Sequence, residues 1–328
     1  MIAFIARRII QAALVMLAVA FIAFSMFSFV GDPVRNIVSQ DATLEQIKEV
    51  RKNLGLDDPM PVRFGRFVVN AVQGNFGLSY RTTEPVGKMI AQRLPATLEL
   101  SIVAAIFALV AGIPMGVFAG LYPQSWLSRL MMTVSLIGVS LPTFLIGILL
   151  IYIFAVLLGW LPSFGRGEVV RLGFWSTGLL TIDGLKALIL PAITLGLFQL
   201  TLIMRLVRAE MLEVLRADYI KFARARGLSN RAVHFGHALK NTLVPVITIT
   251  GLQLGSIIAF AIITETVFSW PGVGLLFLQS VLYADIPVMA SYLVLIGLVF
   301  VVINLIVDLL YFVVDPRLRM QSGRAGGR

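Results

Sequence analysis

"DYIKFARARGLSNRAVHFGHALKNTLVPV", residues 218–246, is a polar and cationic stretch in a chain that otherwise reads as oil. From Glu210 to Arg226 the residues suit a helix, with Leu212, Leu215, Tyr219 and Phe222 recurring at helical spacing. Gly227 stands where a left-handed residue would end that helix. Ser229 can cap a second helix running through His234 and His237 to Asn241, and Pro245 follows at the expected membrane boundary. The expected product is an elbow of two short helices, tied at both ends to apolar spans.

The surrounding composition explains why such an elbow needs a purpose. Of 328 residues, 58% are hydrophobic and 13% charged, and the mean hydropathy is +0.92. A soluble domain carries roughly 25% charge, so the class is a polytopic membrane protein. The chain has no cysteine, which excludes disulfides, thiolate metal sites and cysteine nucleophiles. Its net charge of +10 fits retained cytoplasmic charge and anionic lipid better than nucleic acid.

Crossing a bilayer takes about 20 apolar helical residues. Six segments qualify, roughly Ile9–Val30, Leu98–Leu121, Leu130–Leu158, Leu188–Val207, Leu243–Ile263 and Val288–Val314. The first is longer than a cleavable signal core and is read as a span. Six spans place both termini on one side. Segments 7–8, 122–129, 205–243 and 315–328 together hold 15 Lys and Arg, whereas the short opposite loops hold 3. Both termini and the elbow are therefore expected in the cytoplasm. The sequence divides into 1–30 (cytoplasmic end and first span), 31–97 (an outer segment), 98–314 (a five-helix core containing the loop 208–242) and a tail, 315–328. The outer segment mixes a plausible amphipathic helix opened by Thr43 with turn signals in "DDPMP" and "QGNFGLSY".

Three readings compete for the elbow: a solvated loop, a DNA-reading helix-turn-helix, and a docking element that passes a push from a soluble partner into the bundle. Spans pin the pair at both ends, which counts against DNA reading. No G-x-x-x-x-G-K-[ST] occurs, so ATP would be hydrolysed elsewhere. His234 and His237 lack a cysteine or carboxylate to complete a metal site, and no nucleophile–base set is visible. The chain reads as non-catalytic.

The stretch "ARARGLSNRAVHFGHALKNTLVPV" resembles the coupling loop of ABC importer permeases in the dipeptide/oligopeptide branch. The motifs "GDPV", "LPATLEL", "GIPMGV", "LPTF", "ILPAITLG", "TETVFSWPGVG" and "NLIVDLLYFVVDPRLR" resemble that branch in order along nearly the whole chain. The wider family's loop pattern is Glu-Ala-Ala, three residues, Gly. Ala223 and Gly227 match it, whereas Lys221 and Phe222 depart from it. The resemblance implies an all-α type I importer permease in the bacterial cytoplasmic (inner) membrane. It implies that Asp218, Tyr219, Phe222, Ala223, Arg224, Ala225, Arg226 and Gly227 form a coupling helix seated on an ATPase. It also implies a second homologous permease subunit, two ABC ATPase subunits that bind ATP and Mg, an extracytoplasmic solute-binding protein, and no cofactor on this chain. The implied cargo is a dipeptide or oligopeptide, with nickel chelates and glutathione as alternatives. An ion-coupled secondary transporter and a non-transporting membrane sensor are the rivals outside this class.

Charged residues inside spans are functional hypotheses by default. Glu265, with Trp270 close behind it, is a candidate for the outer gate or for receiving a substrate amino group; an interfacial acid reaching water is the plainer reading. Arg205 and Asp308 should sit at similar depth and pair. Gln199 and Gln253 could line a cavity or bond between helices. Gly112, Gly116 and Gly120, like Gly251 and Gly255, allow close helix approach, either within the chain or between permeases.

Overall fold

A computed structural model of the chain describes residues 2–29, 43–53 and 57–314. The "GDPV" motif and the tail 315–328 lie outside the described residues. The architecture is almost entirely helical: α1 (Ile2–Phe29), α2 (Leu44–Asn53), α3 (Met60–Val72), α4 (Val86–Leu121), α5 (Trp126–Ser140) and α6 (Thr143–Leu150), which continues as a π-helical segment Ile151–Leu157. A hairpin follows, β1 (Val170–Leu172) and β2 (Trp175–Thr177), then α7 (Ile182–Val214) and α8 (Asp218–Ala225). A second π-helical segment, Ala232–Ala238, leads into α9 (Leu239–Val267), followed by α10 (Val273–Leu282) and α11 (Ile286–Val314). Among the described residues, four helices are long and apolar enough to cross a membrane, or six when α5 with α6 and the bent α9 segment each count as one span.

The centre of the fold is the pairing of α4 with α7, and glycine makes it possible. A Cβ on Gly116 would stand 2.6 Å from the Met204 carbonyl oxygen and 2.6 Å from Val207 Cβ. Gly112 meets Leu200 and Ile203, and Gly120 meets Met211. On the other helix, Gly196 abuts the Ala104 carbonyl. Backbones that approach this closely gain dispersion contacts, which replace the hydrophobic effect as the driving force in lipid. Gly251 and Gly255 likewise meet Val307 and Phe300 of α11. Both stripes are thus engaged within the chain, as the plainer of the two readings expects.

Several elements depart from the expectations. The third span is not one straight helix: α5 and α6 meet at 112°. Pro142 causes the break, since it lacks an amide donor and excludes the preceding residue from helical geometry. The second span begins at Val86 rather than Leu98, and α3, β1, β2 and α10 were not expected. The Thr43 expectation holds: Gln46 N donates to Thr43 Oγ1 (3.3 Å) while Thr43 N donates to Gln46 Oε1 (2.9 Å), a reciprocal capping box. Outside the bundle, α3 covers α1 through Phe64 and Phe67, which both contact Phe24.

The spine gives a direct test. Gly116→Val forces a branched side chain into the Met204–Val207 contact, and overpacking of this kind costs about 1–3 kcal/mol. Thermal unfolding in detergent should show a clear loss of stability. Gly236→Ala, where a Cβ meets nothing within 4 Å, should leave the transition unchanged.

Candidate functional site

The elbow forms, with a different construction from the expected one. The helix expected from Glu210 to Arg226 breaks at 215–217, so that α8 is a separate two-turn unit. Its end is as expected: Gly227 has φ +80°, Gly227 N donates to Arg224 O (2.9 Å) and Leu228 N to Ala223 O (3.3 Å). A glycine suits this left-handed position because a Cβ would strain it. Ser229 then caps the next element, with Ala232 N donating to its Oγ at 3.3 Å. The second limb is not a short helix. It runs unbroken through Pro245 into α9, so the elbow is continuous with a span on that side.

Two faces of α8 have opposite tasks. Ile220 and Ala223 are buried, together with Val233 and Ala238, against Val117 of α4 and Val207 and Met211 of α7. Asp218, Tyr219, Lys221, Phe222 and residues 224–227 are exposed. Tyr219 and Phe222 are 45% and 64% exposed. Lys221 Nζ pairs with Asp218 at 2.8 Å, and the Arg226 guanidinium lies 5.8 Å from the Phe222 ring. Asn241 Nδ2 donates to Tyr219 Oη at 3.1 Å, fixing that ring. Of the eight expected contact residues, Ala223 points inward and the other seven are exposed. Burial lowers the His234 imidazole below its usual value, and the nearby Arg224 adds to the effect. Among the described residues no third metal-ligating group joins the two histidines.

At the opposite end of the bundle, three buried carboxylates fasten loops to spans. Glu265 of α9 accepts from Thr97 Oγ1 (2.5 Å) and from Leu275 N (2.8 Å) at the start of α10. Thr97 in turn accepts from Val273 N (2.9 Å). Helix N-termini carry unsatisfied amides that favour an anion. Gly272 and Gly274 have no side chain because the Glu265 carboxylate occupies that space. Trp270 is buried, and its Nε1 donates to Ala96 O (2.9 Å). Glu99 of α4 is ion-paired with Arg166 and accepts from Gly178 N (3.0 Å). Arg166 also donates to Ser176 Oγ (2.9 Å) and Ser176 O (2.6 Å), so the hairpin is gripped at its root. Asp285 accepts from Ser79 Oγ (2.5 Å) and Tyr80 N (3.1 Å).

Glu265 and Trp270 are thus brought together at one junction of α4, α9 and α10. Glu265 is fully buried, not reaching water as the plainer reading expects, and a substrate amino group would meet it only if this junction opened. Gln199 Nε2 donates to Gln253 O at 2.9 Å between helices, and Gln199 also lines a pocket with Thr143, Phe198, Ser256 and Phe260, so both readings are met at Gln199. Arg205 is half-buried on α7, whereas the side chain of Asp308 lies outside the described residues. Glu99, Arg166 and Asp285 were missed from sequence. Glu99 carried a signal, since it is an acid set in the apolar run "LPATLEL"; Arg166 and Asp285 sit in loops, where charge is ordinary.

The model of the family "Binding-protein-dependent transport system inner membrane component" matches residues 112–320, and its N-terminal companion matches residues 1–101. A dipeptide transport system permease protein of Alkalihalophilus pseudofirmus is 38% identical over 97% of this chain and all of its own length. A di/tripeptide transport system permease protein of Pseudomonas aeruginosa is 40% identical over 98% of this chain and all of its own. A glutathione transport system permease protein of Escherichia coli is 39% identical, covering 88% and 89% of the two chains. Among solved structures, the MetNI methionine ABC transporter in an inward-facing conformation matches with a TM-score of 0.55 at 20% identity, over 69% of this chain and 96% of that one. That likeness concerns the fold.

The Glu99–Arg166 pair can be tested by a double-mutant cycle. Removing one member strands a buried charge and costs about 3–5 kcal/mol, while replacing both with apolar residues costs far less. Glu99→Leu and Arg166→Met should each lower the detergent melting temperature markedly, and the double variant should recover much of that loss.

Proposed function

The chain belongs to the family of binding-protein-dependent transport system inner membrane components, the permeases of ABC importers, and from that membership we propose how it works. It is a permease subunit of the peptide branch, itself non-catalytic and embedded as a multi-pass protein in the inner membrane. With a second homologous permease it forms the pathway for a dipeptide or short oligopeptide released by an extracytoplasmic binding protein. Two ATPase subunits, which hold ATP and Mg, drive the cycle from the cytoplasm. The chain crosses six times with both termini inside, residues 31–97 outside, and the loop 208–242 facing the ATPases.

The observation that carries this reading is the two-faced elbow. Exposed Tyr219 and Phe222 offer aromatic anchors of the kind that dominate protein interfaces. On the reverse side, Ile220 and Ala223 are locked to α4 and α7. A displacement of α8 by a partner therefore enters the central spine by direct contact, and enters α9 through the continuous π-helical limb. At the far end, Glu265 and Trp270 fix α10 against α4 and form the structural frame of the outer gate. Arg205 and Asp308 pair within the bundle. Glutathione and nickel chelates are the alternative cargoes, the first because a glutathione permease is as similar in sequence as the peptide permeases.

The test uses the assembled transporter in proteoliposomes, with ATP inside and binding protein plus labelled dipeptide outside. Phe222→Asp should lower uptake about tenfold or more, since an aromatic anchor is worth about 2 kcal/mol, and should leave the melting temperature of the complex unchanged. Full uptake by that variant contradicts the coupling role. Wild-type uptake of glutathione but of no dipeptide contradicts the peptide cargo alone. Glu265→Gln replaces one acceptor oxygen with a donor facing amides, so uptake should fall; unchanged uptake removes Glu265 from the mechanism.

A further inference from the structure

The two bends in the bundle meet at one cavity. Thr143, the first residue of α6, follows the 112° break at Pro142. Ser256 follows Gly255, where the second half of α9 begins after its 55° bend. Both residues line a cavity of about 130 Å³, together with Leu195, Phe198 and Gln199 of α7 and Phe260 of α9. Leu195 and Gln199 are buried, whereas Phe198 and Phe260 are 41% and 60% exposed, so the cavity has a buried wall and an exposed aromatic rim. One turn along α6 from Thr143, Gly147 packs against Thr194 of α7 and Val267 of α9, and the three helices close together on that side. Within a membrane, broken helices are tolerated where they are buried in protein or line a cavity.

Gln199 gives the cavity its polar chemistry. It is only 4% exposed. Its Nε2 donates to Gln253 O (2.9 Å), a carbonyl inside the α9 bend, and to Ser256 Oγ (3.2 Å). Ser256 Oγ in turn donates to Gln253 O (2.6 Å). These bonds commit the amide nitrogen to α9 and leave Gln199 Oε1 buried with no partner. A buried acceptor without a donor is costly, and polar groups set within spans mark substrate paths. An apolar cavity of about 150 Å³ takes a benzene ring. This one therefore has room for a single aliphatic or aromatic side chain and not for a whole dipeptide. An acyl chain would fill the apolar volume and leave the acceptor bare. An amino-acid residue supplies both parts, an apolar side chain and an N–H a few bonds away.

We propose that this cavity receives one apolar side chain of the transported peptide, while Gln199 Oε1 accepts a hydrogen bond from an N–H of the same peptide. The proposal rests on the peptide cargo put forward above and names where this chain reads it. The site favours a residue with an aliphatic or aromatic side chain over glycine, independently of what the binding protein prefers.

The experiment measures uptake by the assembled transporter in proteoliposomes, with ATP inside and binding protein loaded outside with labelled alanyl-glycine or alanyl-leucine. Each rate is read per loaded binding protein, which divides out that protein's own preference. The wild type should import both. Thr143→Leu narrows the cavity and should lower the ratio of alanyl-leucine to alanyl-glycine uptake about tenfold, the worth of a side chain excluded from an apolar pocket. A second readout needs no substitution. A dipeptide carrying a diazirine analogue of leucine, irradiated during turnover, should label this chain within residues 195–199 or 256–260, and it decides alone if Thr143→Leu fails to assemble. An unchanged ratio in an assembled Thr143→Leu complex, or label found only on the second permease or the ATPases, would overturn the proposal and leave the peptide cargo standing. Wild-type uptake of glutathione but of neither dipeptide would remove the cargo reading and this proposal with it.

Discussion

The burial of Ile220 against Val117 of α4 and Val207 and Met211 of α7 is the contact on which the rest of the structure depends. Burying such a side chain contributes about 1.5–3 kcal/mol. Without that grip, an eight-residue helix would not persist, because helices so short are marginal alone. With it, α8 becomes a rigid extension of the glycine-packed spine. The exposed aromatic face and the buried aliphatic face lie on the same two turns.

The two ends of the bundle are held by different physics. The elbow end is joined by apolar packing among Ile220, Ala223, Val233, Val207 and Met211. The opposite end is joined by buried carboxylates at Glu99, Glu265 and Asp285, each with directional partners. Removing one partner from such a set leaves a charge or donor without compensation. That end therefore favours one defined arrangement. The bends lie between these two ends, at Pro142 and within α9, where the halves on either side of Gly251 and Gly255 meet at 55°.

The sequence made the class legible through hydropathy, and the elbow through Gly227 and Ser229, because each of those is a local signal. Gly227 announces a left-handed residue by its identity alone, and the Thr43–Gln46 box is written in four consecutive positions. What stayed hidden is tertiary. The break at 215–217 has no proline or glycine to mark it, and Pro245, which looked like a boundary, is accommodated inside α9. Trp270 and Glu265 stood out as polar or aromatic residues near a span end, yet their partners Ala96 and Thr97 lie more than 150 positions away. Glu99 and Arg166 are 67 residues apart, and nothing in either's neighbourhood names the other. The glycine stripes showed that something packs closely but not what; the contacts of Gly116 with Met204 and Val207 supply the answer.

Because the chain contains no cysteine, a single cysteine introduced at Phe222 gives the most direct measurement. In the assembled transporter it should form a crosslink to an ATPase subunit with a short bifunctional reagent, and a cysteine at the exposed hairpin residue Phe174 should not. A crosslink to the ATPase from Phe174, or none from Phe222 in a complex that still imports peptide, would contradict the claim that force enters through the elbow.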